Sequence, residues 1–197
     1  MRVTGLALID PYALLERLGV EAGWVIADLG CGSLGHFVFP AAAAVGAGGR
    51  VYAIDVQQTA IKRLEHDVRD HQYWHVRPIW ADIEAPRPTP VPGNSVDLTL
   101  IVNTLYLARE RTRWIEEAWR MTRPHGQLMV IDWRPEAAPL GPEASLRLHP
   151  DALRDFICAY GWQLEADIDV GDHHFGCLFR RPSQADDMQI ESISAPQ

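Results

Sequence analysis

Apolar residues along this chain fall into short continuous runs that alternate with helix-spaced ones. Asp10-Pro11 supplies a capping side chain and a proline for a first helical turn, and Leu14, Leu15 and Leu18 line one face up to Gly19. Trp24 to Ala27 is an apolar run suited to a buried strand, and Phe37 to Val45, rich in alanine, reads as a helix packed on a sheet. Gly48-Gly49-Arg50 turns into a second strand, Val51 to Val56, after which Ala60, Ile61, Leu64 and Val68 keep helical spacing. His75 to Trp80 forms a third strand, and Ser95 to Val102 a fourth whose near-continuous apolar run suits a central parallel position. Glu110 to Met121 is predicted helical, with Trp114, Ala118 and Met121 on one face. Pro124-His125-Gly126 ends it, and Gln127 to Trp133 is a fifth strand. Beyond a loop loaded with proline and glycine, Arg134 to Leu148, a helix opens at Pro150 and is capped by Gly161. Its Leu153, Phe156, Ile157 and Tyr160 recur at helical spacing. Trp162 to Val170 and Phe175 to Arg180 flank Gly171-Asp172 and read as an antiparallel hairpin.

Strands that alternate with helices predict a mostly parallel sheet with helices on both faces. At 197 residues the chain suits one domain with a real core, spanning residues 1–181, with 1–20 as an N-terminal helical segment. The polar stretch 182–197 is expected to carry no fixed structure. Pro86, Pro88, Pro90 and Pro92 exclude a helix and read as an extended connection into the fourth strand.

The loop after the first strand concentrates the chemistry. Gly30, Gly32 and Gly35 spell G-x-G-x-x-G in front of a helix, so unpaired N–H groups converge on one point and favour a polar, partly anionic ligand. Asp55 lies at a strand end twenty positions beyond Gly35, as in a dinucleotide-binding fingerprint. The same stretch also reads Asp28-Leu29-Gly30-Cys31-Gly32, with an acid two places before the first glycine. Beside a pyrophosphate that acid would be repelled, whereas an ammonium would be attracted. In this form the stretch resembles motif I of the class I S-adenosylmethionine (SAM)-dependent methyltransferases, departing from it where Leu34 occupies the usual third glycine. The terminal hairpin resembles the sixth and seventh strands of that family, so the likeness covers roughly residues 5 to 180.

The resemblance implies an α/β, Rossmann-like seven-stranded methyltransferase sheet, mostly parallel with an antiparallel C-terminal hairpin and helices on both faces. It implies SAM as cofactor, with Asp28, Gly30, Cys31, Gly32 and Gly35 around the methionine moiety. Asp55 would accept from the ribose hydroxyls, Val56 would pack on the adenine, and Asp82 with the Ile83 N–H would read the adenine edge. The methyl group would emerge near Asn103-Thr104-Leu105-Tyr106. Within the family, the chain looks like the small type 11 and quinone-biosynthesis enzymes, which methylate small molecules by in-line displacement. Positioning alone can lower such a barrier by about 7–11 kcal/mol, and a neutral acceptor can also require a base. His174 is the best candidate for a base. Tyr106, Asp132 and Trp133 are further residues expected to border the acceptor. Two other functions stay open: an NAD(P)-dependent Rossmann oxidoreductase, and a non-catalytic SAM-binding interaction module.

Composition narrows the partners. A net charge of −8 gives no basic field for nucleic acid, and no apolar stretch reaches the length of a membrane span. The Asn-Pro-Pro-Tyr signature of base-modifying enzymes is absent, and so is the Gly-Lys-Ser/Thr ending of a phosphate-binding loop. Cys31, Cys158 and Cys177 are odd in number and widely spaced, which points to a reducing, cytoplasmic setting and not to a disulfide framework. Cys158 is predicted on the inward side of the last helix, and Cys177 within the last strand. The three cysteines do not reproduce the set on which arsenite methyltransferases depend. His66, His71 and His75 have no cysteine near them, so no metal site is expected. Trp114, Trp119 and the proline run are surface candidates for a partner, with a monomer or a homodimer equally compatible.

Overall fold

The apolar runs pair into one seven-stranded sheet in the computed structural model, which describes residues 8–86, 89–136 and 140–183. Part of the proline run and the tail beyond residue 183 lie outside the described residues. In chain order the elements are α1 (Pro11–Arg17), β1 (Val25–Leu29), α2 (Val38–Val45), β2 (Arg50–Asp55), α3 (Gln58–Asp70), β3 (Val76–Trp80) and β4 (Val96–Val102). They continue with α4 (Arg111–Met121), β5 (Thr122–Trp133), α5 (Pro150–Cys158), β6 (Gln163–Ile168) and β7 (His174–Arg180). The strand order is β3-β2-β1-β4-β5-β7-β6; the first five are mutually parallel and β7 runs antiparallel to both β5 and β6. This is the expected mixed sheet with its C-terminal hairpin.

Alternation along each strand divides the interior into two cores. Ile26, Val51, Leu98, Leu100 and Met129 face a layer built by α1, α2 and α3. Ala27, Leu29, Ile54, Ile101 and Val130 face α4 and α5. Period-two exchange of faces is what strand geometry imposes, and full burial of each large aliphatic side chain stabilises by about 1.5–3 kcal/mol. The helix spacing is equally faithful in α3, where Ala60, Ile61, Leu64 and Val68 are the buried positions. Asp10 caps α1, its Oδ1 accepting from the Tyr12 and Ala13 N–H groups. Leu14, Leu15 and Leu18 are buried against the first core, so α1 is packed and not a free flap.

Two expectations are corrected. β5 starts at Thr122, directly after α4, instead of at Gln127. Its register against β4 shifts between Val96 and Leu98, and the extra residues bulge out. Pro124 has no N–H for the ladder, and His125 takes a positive φ of 62°. Cys158 is exposed, because Leu153 and Ile157 turn the buried face of α5 away from it. Trp114 and Trp119 are both partly buried against the second core. Trp119 packs edge-on against Trp162, ring centroids 5.3 Å apart.

The connection into β4 is fastened from α4. Glu117 is 6% exposed; its Oε1 accepts from both the Thr89 N–H (2.8 Å) and the Thr89 hydroxyl (2.6 Å). Arg120 donates to Glu117 Oε2 at 2.7 Å and to the Val91 carbonyl at 2.8 Å. Residues 89–91 of the connection therefore lie along α4, held by a half-buried ion pair.

Candidate active site

Parallel strands deliver their carboxyl ends to one edge of the sheet, where β1, β2, β3 and β4 each leave a loop. The loop after β1 is tethered to β2: the Gly30 and Cys31 N–H groups both donate to the Ile54 carbonyl, at 2.8 and 3.1 Å. Gly30 has φ +79°, and a Cβ there would stand 2.6 Å from Thr104 Cγ2 on the neighbouring loop after β4. Only glycine fits where two strand ends approach so closely. Gly35 answers a different need. A Cβ there would meet Leu64 and Phe39 at 2.7 Å, so its missing side chain serves helix packing.

Asp28 and Asp55 form an acidic pair at the ends of β1 and β2. Asp28 is 3% exposed and has no hydrogen-bond or ion-pair partner among the described residues. Burial first, and the Asp55 charge second, raise its carboxyl to about 7. Asp55 is better provided: Oδ2 accepts from the Gly32 N–H at 2.9 Å and Oδ1 from the Gln57 N–H at 2.8 Å. A carboxylate has about four acceptor sites, so two remain for a ligand's hydroxyls. Cys31 lies beside both acids, and burial with these charges pushes its thiol well above the usual range, away from reactivity.

Gly30, Asp55, Val56, Asp82 and Ile83 line one cavity of about 180 Å³. Five residues expected around the cofactor, four of them around its nucleoside, are thereby brought together from three strand ends. Val56 is exposed at its rim, with the Trp80 Nε1–H donating to the Val56 carbonyl at 3.0 Å. Asp82 Oδ1 accepts from the Glu84 N–H, while the Ile83 N–H donates to no described residue. The opposite wall carries residues that sequence reasoning missed, chiefly Glu84, Leu107 and Trp114. Glu84 Oε1 spans the walls, accepting from the Arg109 N–H at 3.0 Å and the Trp114 indole N–H at 3.2 Å. The helical phase of Trp114 was legible, but the wall that α4 would face was not.

The other predicted residues lie outside this lining. Asp28, Cys31, Gly32 and Gly35 sit in or under the glycine loop, and Asn103, Tyr106 and His174 belong to a second polar group at the ends of β4, β5 and β7. Asn103 takes φ +53°, unusual without glycine, and its N–H donates to the Ile131 carbonyl at 2.9 Å. Its Nδ2 lies 3.0 Å from His174 Nε2. Asn103 Oδ1 and His174 Nδ1 are both buried with no partner. His174 is fully buried, 4.3 Å from the Trp133 ring, and burial, aided by the charges of His173 and Arg134, lowers its imidazole to about 4. It is therefore held neutral and enclosed, hydrogen-bonded to Asn103. Asp132 is also fully buried and raised to about 7, chiefly by burial, against the opposing hydrogen bonds from the Trp133 and Tyr106 N–H groups. Tyr106 is half-buried, and its phenol is pushed up by that burial and by the Asp132 charge.

Chemically, a small cavity is lined by the carboxylates Asp55, Asp82 and Glu84, with no basic side chain in its lining and the buried Asp28 within reach of Asp55. Such a lining favours a ligand that brings positive charge, and it disfavours a pyrophosphate. Among the described residues, no helix is long and apolar enough to cross a membrane, and no group of three or more His, Cys, Asp and Glu residues could hold a metal ion.

Residues 21–175 match the family model described as a methyltransferase domain. The chain is 26% identical over 131 residues to the ubiquinone/menaquinone biosynthesis C-methyltransferase of Hahella chejuensis, a match that covers 66% of this chain and 51% of that protein. It is 25% identical over 118 residues to the demethylmenaquinone methyltransferase of Anoxybacillus flavithermus, over 60% of this chain and 48% of that protein. The chain spans about half the length of the curated relatives it matches. A SAM-dependent methyltransferase from Aquifex aeolicus has the same fold, with a TM-score of 0.82 at 26% identity, over 89% of this chain and 92% of that one.

Proposed function

This chain belongs to the methyltransferase-domain family, and from that premise we propose that it catalyses transfer of the SAM methyl group to a small-molecule acceptor by in-line displacement. One observation carries the reading: the buried, unpartnered carboxyl of Asp28 lies within reach of the charge of Asp55, which itself lines the cavity. Like-charge repulsion there is relieved by the ammonium of a methionine moiety. The same acids count against NAD(P), whose pyrophosphate would meet them.

The residues fit the cofactor part by part. Asp28 and the glycine loop face the amino-acid end, and Asp55 keeps acceptor sites for the ribose. Val56, Asp82 and the free Ile83 N–H border the base, and Glu84 holds Trp114 against the far wall. When bound, SAM supplies a methyl group already activated by the sulfonium, so the chain's own task is to orient the acceptor and exclude water. We assign His174 a positioning role through Asn103, in place of the base it was expected to be. An imidazole lowered to about 4 has little drive to take a proton at neutral pH. Tyr106, half-buried beside Asp132, remains the side chain placed to border the acceptor.

The curated relatives support an acceptor with an apolar, quinone-like body. A cytoplasmic setting is supported by three free cysteines. The test is transfer of a labelled methyl group from SAM into a panel of small-molecule acceptors that includes reduced quinones. Labelled product is expected. Binding of S-adenosylhomocysteine without any product would favour the non-catalytic module.

A further inference from the structure

At the same end of the sheet, a second cavity of about 320 Å³ opens between the first turns of α4 and α5. Its walls are of two kinds. Leu148, Leu153 and Phe156 are apolar, while Arg109, Arg111 and His149 bring cationic or protonatable groups. In a chain of net charge −8 this is an unusual concentration of basic groups, and Glu110 is the one carboxylate among the lining residues. The guanidinium of Arg109 has no hydrogen-bond or ion-pair partner among the described residues; only its backbone N–H is engaged, by Glu84. Arg111 spends its Nε on the Leu105 carbonyl at 3.3 Å, and its terminal nitrogens have no hydrogen-bond or ion-pair partner among the described residues.

The cavity adjoins the nucleoside cavity along one chain segment. Residues 107 and 108 border the nucleoside cavity, and residues 109 to 112 border this one. The charge of Arg111 also reaches Asp132, which holds the Tyr106 N–H at the tip of β5. A ligand seated here is therefore one short segment away from the nucleoside site. Guanidinium forks bind carboxylates and phosphates in two-point fashion, and the volume is that of a small-molecule site.

We propose that this cavity seats the methyl acceptor, and that the acceptor is an amphiphilic anion with a carboxylate or phosphate between Arg109 and Arg111 and an apolar body against Leu148, Leu153 and Phe156. The assignment rests on the methyl-transfer reading above. Titration calorimetry on the chain saturated with S-adenosylhomocysteine tests it, with octyl phosphate, octanol and inorganic phosphate as probes. Octyl phosphate is expected to bind at least about tenfold more tightly than either fragment, because each fragment makes only part of the contacts. Arg109→Ala, which removes no internal bond, is expected to weaken octyl phosphate by about tenfold or more. Arg109→Lys should recover part of that loss, and S-adenosylhomocysteine affinity should stay unchanged in both variants. Octanol binding as tightly as octyl phosphate, inorganic phosphate doing the same, or Arg109→Ala leaving octyl phosphate affinity intact would each overturn the proposal. Failure of the unmodified chain to bind S-adenosylhomocysteine would overturn the cofactor reading instead, with octyl phosphate affinity still read directly on the free chain.

Discussion

Asp28 and Asp55 stand at the tips of adjacent parallel strands, and the charge of Asp55 adds to burial in holding a proton on Asp28 up to about pH 7. A free aspartate gives up that proton near 3.8. The folded chain without ligand therefore keeps a proton that the unfolded chain has lost, across the window from about pH 4 to 7. Stability falls as pH rises through that window and levels off above it. Asp28→Asn removes this dependence. Between pH 5 and 8 the unmodified chain should lose about 2–3 kcal/mol more than the variant, at about 1.4 kcal/mol per pH unit. Urea unfolding of both proteins at the two pH values measures it. Parallel pH profiles would refute it.

Ligand binding should titrate the same group. An ammonium beside Asp28 favours the ionised carboxylate, so S-adenosylhomocysteine should release about one proton at pH 6 and almost none at pH 8.5. Calorimetry in buffers of different ionisation enthalpy reads the number directly.

Gly30→Ala should damage both fold and site. The positive φ alone costs a side chain about 1–2 kcal/mol, and the new Cβ would lie 2.6 Å from Thr104 Cγ2. We expect a total loss of about 2–4 kcal/mol by denaturant unfolding. Adding Thr104→Ser removes the clashing methyl, so the double variant should recover the steric part and not the backbone part.

Glu84 tests the far wall. It is joined to Arg109 and Trp114 by two hydrogen bonds across the cavity mouth. Glu84→Ala should weaken S-adenosylhomocysteine by about five- to tenfold while changing stability by less than about 1 kcal/mol. Calorimetry and unfolding on the same preparation separate the two effects.

Glu117→Ala should act on the fold alone. Loss of this carboxylate leaves the Thr89 N–H and the Arg120 guanidinium without their acceptor, at a cost of about 2–3 kcal/mol. Cofactor affinity should stay within twofold of the parent, because the clamp lies outside the cavity lining.

The succession of strands along the chain and the acidic tips were legible because each acid follows closely on an apolar run that reads as a buried strand. The unread parts depend on tertiary orientation. Helical spacing placed Trp114 on a face of α4, but whether that face met solvent or ligand depended on how α4 lies over the sheet. His174 is enclosed because β7 pairs antiparallel with β5, setting it opposite Trp133; nothing in a hairpin sequence announces that register. The early start of β5 was hidden by Pro124, which reads locally as a helix stop and in the sheet becomes a bulge.

The most direct measurement is the affinity of S-adenosylhomocysteine for the unmodified chain and for Asp55→Ala, with NADH as the competing ligand. Saturable binding of S-adenosylhomocysteine, weakened about ten- to a hundredfold by the substitution and matched by no NADH binding, is the expected result. Equal affinity in both proteins, or stabilisation by NADH alone, would contradict a cofactor site founded on the carboxylates at the ends of β1 and β2.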